Sequence, residues 1–415
     1  MRVCSRRVIM GLHGETRRRA ACPGTSERMK KMSNVQKADP YRKLVRVMII
    51  LLVLFVLLLT GYLLLDSYSK GRVEAQQREA EEQQRQVIEA NNKMVEEYNK
   101  QVLQQRAEAA AAAVAWPEAA ATGVDVLSLK GIPVRGEDTI PYTRTELLSG
   151  SLMVVNRWHP LPADFAAAEA NIVSIMDHTK RRVPTTGRAV SIFPEAATAL
   201  DQMIAGAKEA GLEYFLIREG FRSMATQTEH WDKETTKYTD RLTGNALTEQ
   251  VRKTVSYPGT SDYQSGQSVS IDAYSANDPV LNTARFQDTD QAKWLVENAW
   301  KYGYVFRFPV MGYPTADTVD KSYKTGINLT NLDAYRYVGI PHAFVMKHKG
   351  YCLEEYIEYL IEQQHIAVYQ DGVLKYEIFR QEGGDENGEL LIPSGGQSHI
   401  ISSDNMGGII CAITY

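Results

Sequence analysis

Residues Gly259–Tyr274 read GTSDYQSGQSVSIDAY, a run of small and polar residues that passes through Gly266 and feeds a short strand, Val269–Ile271. Helices and short strands flank this stretch on both sides. Upstream, Leu152–Asn156 (LMVVN) reads as a strand, and Pro194–Ala210 carries apolar residues at helical spacing behind a Pro start. Tyr214–Ile217 is a strand, Glu219–Ser223 (EGFRS) a turn, and Met224 opens another helix. Downstream, Asp290–Tyr302 is a helix stopped by Gly303, Tyr304–Phe308 and Tyr335–Val338 are strands, and Leu353–Gln364 is a helix. The two types mix without strict alternation, which predicts an α+β fold. Past this region, Asp371-Gly372 between two alternating runs signals a hairpin. LLIP, HIIS and GIICAITY follow between turn residues, so 365–415 is expected as a small all-β appendage.

The front of the chain has a different character. Val47–Leu65 contains no charge, and at about 1.5 Å per residue it spans a hydrocarbon layer of about 30 Å. Thirteen Lys and Arg precede it, against Glu15, Glu27 and Asp39, and Asp66 follows at once. The positive-inside rule then predicts a single-pass cell-membrane protein with a cytoplasmic N-terminus and an extracellular C-terminal domain. The segments expected are a basic tail (1–46), an uncleaved transmembrane signal anchor (47–65), a helical stalk (66–116), a linker (117–149), an α+β domain (150–364) and the β appendage. Met29 or Met32 competes with Met1 as the true start. The stalk is rich in Gln, Glu and Ala, with Val87/Met94 and Ile88/Val95/Val102 recurring at seven. That seam admits a coiled-coil homodimer but is polar elsewhere. A net charge of −3 argues against a nucleic-acid partner. Of four cysteines, Cys352 and Cys411 either pair or stand as separate buried thiols.

Seven segments in order carry a resemblance: VNRWHPLPADF, FPEAATALDQMIAGAKEAG, IREGFRSMATQ, GTSDYQSGQSVSID, AKWLVENAWKYGYVFRFP, TGINLTNLDAYRYVGIPHA and LEEYIEYL. Together they resemble the VanY-type D-alanyl-D-alanine carboxypeptidases, zinc peptidases that trim peptidoglycan stem peptides, over roughly Leu152–Leu360. The resemblance implies three zinc ligands, with one coordination position left for water, and a carboxylate base. In the family, S-x-H-x-x-G-x-A-x-D supplies the first two ligands, and E-P-W-H supplies the base and the third. Here Ser261 and Gly266 match, but Tyr263 stands at the first ligand position and Ser270 at the second. Anchored on Arg336-Tyr337-Val338-Gly339, the third ligand position is Ala334 and the base position is Asn331, or Thr330 if one residue is inserted. No catalytic or metal-ligating residue is therefore expected. A rebuilt site would draw on Asp272, Asp333 and either His342 or His348. The EGFRS-x3-Q stretch resembles the family's S-G-Y-R-S-x3-Q, with Glu219 for Ser and Phe221 for Tyr. This implies that Arg222, Ser223 and Gln227 line a substrate cleft, joined by Ser261 and Asp262.

Three functional readings follow. One is a zinc-less, membrane-anchored member of the carboxypeptidase family that needs no cofactor and binds stem peptide or an envelope protein. Another is an active carboxypeptidase whose zinc sits in a rebuilt site. A structural spacer is the third and weakest.

Overall fold

The computed structural model describes residues 40–111, 116–134, 138–327 and 333–415. The basic tail up to residue 39, with Cys4, Cys22, Met29 and Met32, lies outside the described residues, as do Thr330 and Asn331. The chain divides into two compact units, Met1–Val95 and Glu96–Tyr415. Helix α1 runs without a break from Pro40 to Ala111, 72 residues, or about 108 Å at the usual rise. Pro40 occupies the first helical position, where a missing N–H costs nothing. Within α1, Val47–Ser67 is long and apolar enough to cross a membrane, with a mean hydropathy of 3.0. No helix break separates the expected membrane span from the expected stalk.

In the second unit, a four-stranded antiparallel sheet positions the residues of interest. Its strands are β3 (Phe215–Glu219), β4 (Ser268–Ala273), β5 (Tyr304–Phe306) and β6 (Ala334–Tyr337), in the order β3-β4-β6-β5. Helix α2 (Pro194–Glu209) lays Ala196, Leu200 and Met203 against one face, beside Ile217, Val269 and Ile271. Helix α3 (Met224–Thr235) follows the β3 turn, and α4 (Asp290–Asn298) continues as a tighter turn to Gly303. Helices α5 (Ile340–Lys349) and α6 (Leu353–Gln363) lead into the C-terminal strands.

Those strands do not form a separate appendage. Strands β7 (His365–Gln370), β8 (Val373–Glu382), β10 (Ser398–Ser403) and β11 (Gly408–Thr414) join β1 (Val124–Ser128) in one sheet, ordered β1-β7-β8-β11-β10. A fifth C-terminal strand, β9 (Gly388–Ile392), pairs instead with β2 (Asp138–Tyr142). The segment expected as linker thus supplies two strands. The sheet also shares its core with the preceding domain, since Ile366, Val368, Ile378 and Ile410 pack with Leu152, Val338, Tyr356 and Ile357. Leu152–Asn156 is not a strand. It is buried, and its polar groups are met elsewhere: Arg336 donates to the Met153 carbonyl, and Val154 N donates to the Asp404 carbonyl. Cys352 and Cys411 are both free and buried.

An ion cluster joins these parts. Asp262 Oδ1 accepts from Arg307 Nε at 2.9 Å and from Arg336 Nη1 at 2.7 Å, while Oδ2 takes the Ser268 hydroxyl. Arg307 also forks Glu354, with Nη1 at 3.0 Å and Nη2 at 2.7 Å. Arg336 Nη2 donates to the carbonyls of Ser151 and Met153. Both guanidinium groups are fully buried. Burial alone would raise the Asp262 pKa, but Arg307, Arg336 and Ser268 reverse this and hold it below the usual carboxylate range.

Asp262→Ala leaves two buried cations short of a partner and should cost about 3–5 kcal/mol, read as a lower urea midpoint at pH 7. The Asp262 contribution is present above the ordinary Asp pKa of about 3.9 and is lost as pH falls through the depressed folded value. The gap between native protein and variant should therefore persist at pH 5 and close only in stronger acid.

Candidate functional site

The stretch that decided the fold forms a tight turn. Ser261 and Gln264 make a reciprocal cap around Asp262–Ser265, and the turn ends at Gly266 with φ at 72°. Only glycine serves there, because a Cβ would sit 2.7 Å from the Phe193 ring as well as in a left-handed conformation. The turn directs Tyr263 inward. Its side chain packs with Phe308 and Ala334, with Ile327 at the edge.

Three strands bring a row of residues beneath it. Glu219 on β3 stands opposite Ser270 on β4, and Ser270 opposite Ala334 on β6. The Ser270 side chain lies close enough to the Tyr263 phenol to act on it electrostatically. The positions that the resemblance assigns to metal ligands therefore converge, but with the wrong chemistry. Burial, and then the nearby Glu219 carboxylate, push the Tyr263 pKa well above that of an ordinary phenol, so the group stays neutral. Ser270 offers a neutral hydroxyl, and Ala334 offers a methyl group. Zinc takes imidazole, thiolate or carboxylate donors, so this set does not fit it. Beside the cluster lies a cavity of about 30 Å³, lined in part by Asp262, Phe308, Thr325 and Ile327. That is room for about one water. The roomier clefts lie elsewhere: one of about 410 Å³ is lined in part by Trp300, Val319 and Tyr351, and one of about 520 Å³ in part by Phe193, Tyr337 and Ile400.

The replacement donors do not assemble either. Asp272 Oδ2 is held by Arg218 Nε at 2.5 Å, and Asp333 accepts the Tyr313 hydroxyl. His342 is buried, and its Nδ1 meets the Tyr356 hydroxyl at 2.7 Å, while His348 stacks against Phe344 and Trp300. Burial holds the His342 pKa at about 3, which makes it a neutral packing residue. Among the described residues, no three His, Cys, Asp or Glu side chains converge as a metal site would require.

Most of the residues expected to line a cleft serve the fold. Gln227 is fully buried, donating to the Ser256 carbonyl and accepting from Arg222. Ser261 and Asp262 are also buried, the first as the cap of its turn and the second inside the ion cluster. Ser223 caps α3, accepting from Thr226 N at 3.1 Å. Arg222 remains partly open, but its fork is filled: Nε and Nη2 each meet a Glu219 oxygen at 2.5 Å, and its guanidinium lies 4.6 Å from the Tyr263 ring centre. Gly220 lets this turn close, since a Cβ there would meet the Ser191 carbonyl oxygen at 2.4 Å. Sequence reasoning missed the role of Glu219. Its spacing three residues before Arg222 was the available signal.

Comparison with known proteins agrees on the relationship. The family described as VanY, D-alanyl-D-alanine carboxypeptidase, matches residues 190–321. A D-alanyl-D-alanine carboxypeptidase of Enterococcus faecium is 27% identical over 273 residues, covering 65% of this chain and 77% of the relative. YodJ of Bacillus subtilis (strain 168), assigned as a carboxypeptidase, is 30% identical over 207 residues, covering 50% of this chain and 67% of the relative. Among solved structures, the vancomycin-resistance D,D-dipeptidase VanXYg superposes with a TM-score of 0.50 at 20% identity, over 68% of this chain and 100% of its own. That likeness concerns the fold.

Asp333 offers a check on the site's electrostatics. Burial, and then the Asp272 charge, raise its pKa to about 7. A carboxyl raised in this way favours the fold below its ordinary pKa, and that benefit is lost as pH rises through about 7. Asp333→Asn should therefore raise the thermal midpoint by a few degrees at pH 8, with the gain shrinking towards pH 5. Melting curves across that range are the measurement.

Proposed function

Because the chain belongs to the VanY-type D-alanyl-D-alanine carboxypeptidase family, we propose that it is a member whose hydrolytic centre has become core. It works by recognition, of peptidoglycan stem peptide or of an envelope protein, rather than by cleavage. The observation that carries this is the packing of Tyr263 against Ala334 and Phe308, with Ser270 beside the phenol. Metal-assisted peptide hydrolysis needs a cation that polarises the carbonyl and acidifies a water, and it needs a base to move the proton. Tyr263, Ser270 and Ala334 supply neither the donors for such a cation nor a base. An active enzyme with a rebuilt site would call on Asp272 and Asp333, which are engaged by Arg218 and Tyr313.

Anchoring completes the proposal. The charge-free run in α1 follows thirteen basic residues, which favours a cytoplasmic N-terminus and a domain held outside the membrane.

Full-length protein purified in detergent should carry substoichiometric zinc and release no D-Ala from a pentapeptide ending in D-Ala-D-Ala. Tyr263→His, Ser270→Asp and Ala334→His together restore three donors and should bring zinc to about one per chain. Stoichiometric zinc with D-Ala release by the unaltered chain would overturn the proposal.

A further inference from the structure

Among the described residues, Arg222 stands beside the substituted centre with the geometry of a carboxylate receptor. Its backbone N–H donates to the Tyr263 carbonyl at 3.2 Å, which fixes it at the lip of that centre. Gln227 Oε1 accepts from Nη1 at 3.1 Å and sets the plane of the guanidinium, while the Tyr263 ring covers one face. The remaining edge, Nε with Nη2, is the pair that receives a carboxylate through two parallel hydrogen bonds. Both bonds are made, and the carboxylate is the chain's own Glu219. Glu219 also belongs to the row Glu219–Ser270–Ala334, so the strand geometry that builds the centre delivers this acid to the fork.

We propose that Glu219 is a built-in occupant of the Arg222 fork and determines the specificity of the cleft, turning away peptides that end in a free carboxylate. A carboxylate tethered three residues from its receptor acts at an effective concentration in the millimolar range or above. A dissolved peptide terminus must displace it, and Arg218, on β3, is already committed to Asp272. Any peptide that the native cleft accepts is therefore recognised through an internal segment or an amidated end. Neutralising Glu219 leaves the fork in place, held by Gln227 and Tyr263, and opens it to carboxylates. This inference goes beyond the function proposed above and does not depend on whether a metal is held.

The test uses the full chain in detergent with two probes: diacetyl-L-lysyl-D-alanyl-D-alanine and the same peptide amidated at its C-terminus. Calorimetry should show that the native protein binds the acid no more tightly than the amide. Glu219→Ser and the isosteric Glu219→Gln should each bind the acid at least about tenfold more tightly than the amide, a difference of about 1.4 kcal/mol. Adding Arg222→Ala to either should abolish that preference. The proposal fails if the native chain already prefers the acid, a result that needs no variant to fold. It also fails if either variant, melting as cooperatively as the native protein, binds acid and amide alike or binds neither. Zinc content in the same samples bears on the proposed function alone, so the two can fail separately.

Discussion

One carboxylate between two buried guanidinium groups organises this domain. Asp262 ties the β5 end to β6 through Arg307 and Arg336, and each arginine then reaches onward: Arg307 to Glu354 at the start of α6, and Arg336 to the carbonyls of Ser151 and Met153. The cluster holds two cations and two anions, so the core remains neutral overall. Removing a single member would leave a bare charge in a low dielectric, which is why the four persist as a unit. Because Asp262 also begins the turn that carries Tyr263, the cluster fixes where that phenol can sit.

The centre above it is built from side chains that pack against one another. A buried histidine or aspartate without a metal would be left short of a partner. Tyr263, Ser270 and Ala334 lessen that penalty, since the phenol stays neutral and the methyl group needs no partner. Phe308 fills against them. Tyr263, Phe308 and Ala334 are mutually consistent as packing.

Much of the fold was legible because its punctuation is local. Pro194 opens a helix, Gly303 closes another, and Asp371-Gly372 turns a hairpin where the sequence places one. The misses come from partners distant in the chain. Val124–Ser128 and Asp138–Tyr142 look like connector because their pairing residues, Ile366–Gln370 and Gly388–Ile392, lie more than two hundred positions away. Leu152–Asn156 has the composition of a strand, but its Met153 and Val154 carbonyls accept from the Arg336 and Asn405 side chains, which no periodicity announces. At the site, spacing marked Tyr263, Ser270 and Ala334 as the residues at the positions that the resemblance assigns to ligands. It did not show that Gln227, Ser261 and Asp262 turn inward, because their partners are distant in the chain or set by the turn: the Ser256 carbonyl for Gln227, Arg307 and Arg336 for Asp262, and the cap for Ser261.

The pairing of β1 with β7 also determines where this protein can be cut. A fragment begun at Gly150, where the composition changes, would strip the C-terminal sheet of its outer strand and leave β9 without its partner β2. The β7 backbone from Ile366 to Gln370 would then present open hydrogen-bonding groups beside buried Ile366 and Val368, a template for pairing with another chain. The shortest well-behaved soluble form therefore starts upstream of Val124, and insolubility of a shorter one would report a missing edge strand rather than an unstable catalytic fold.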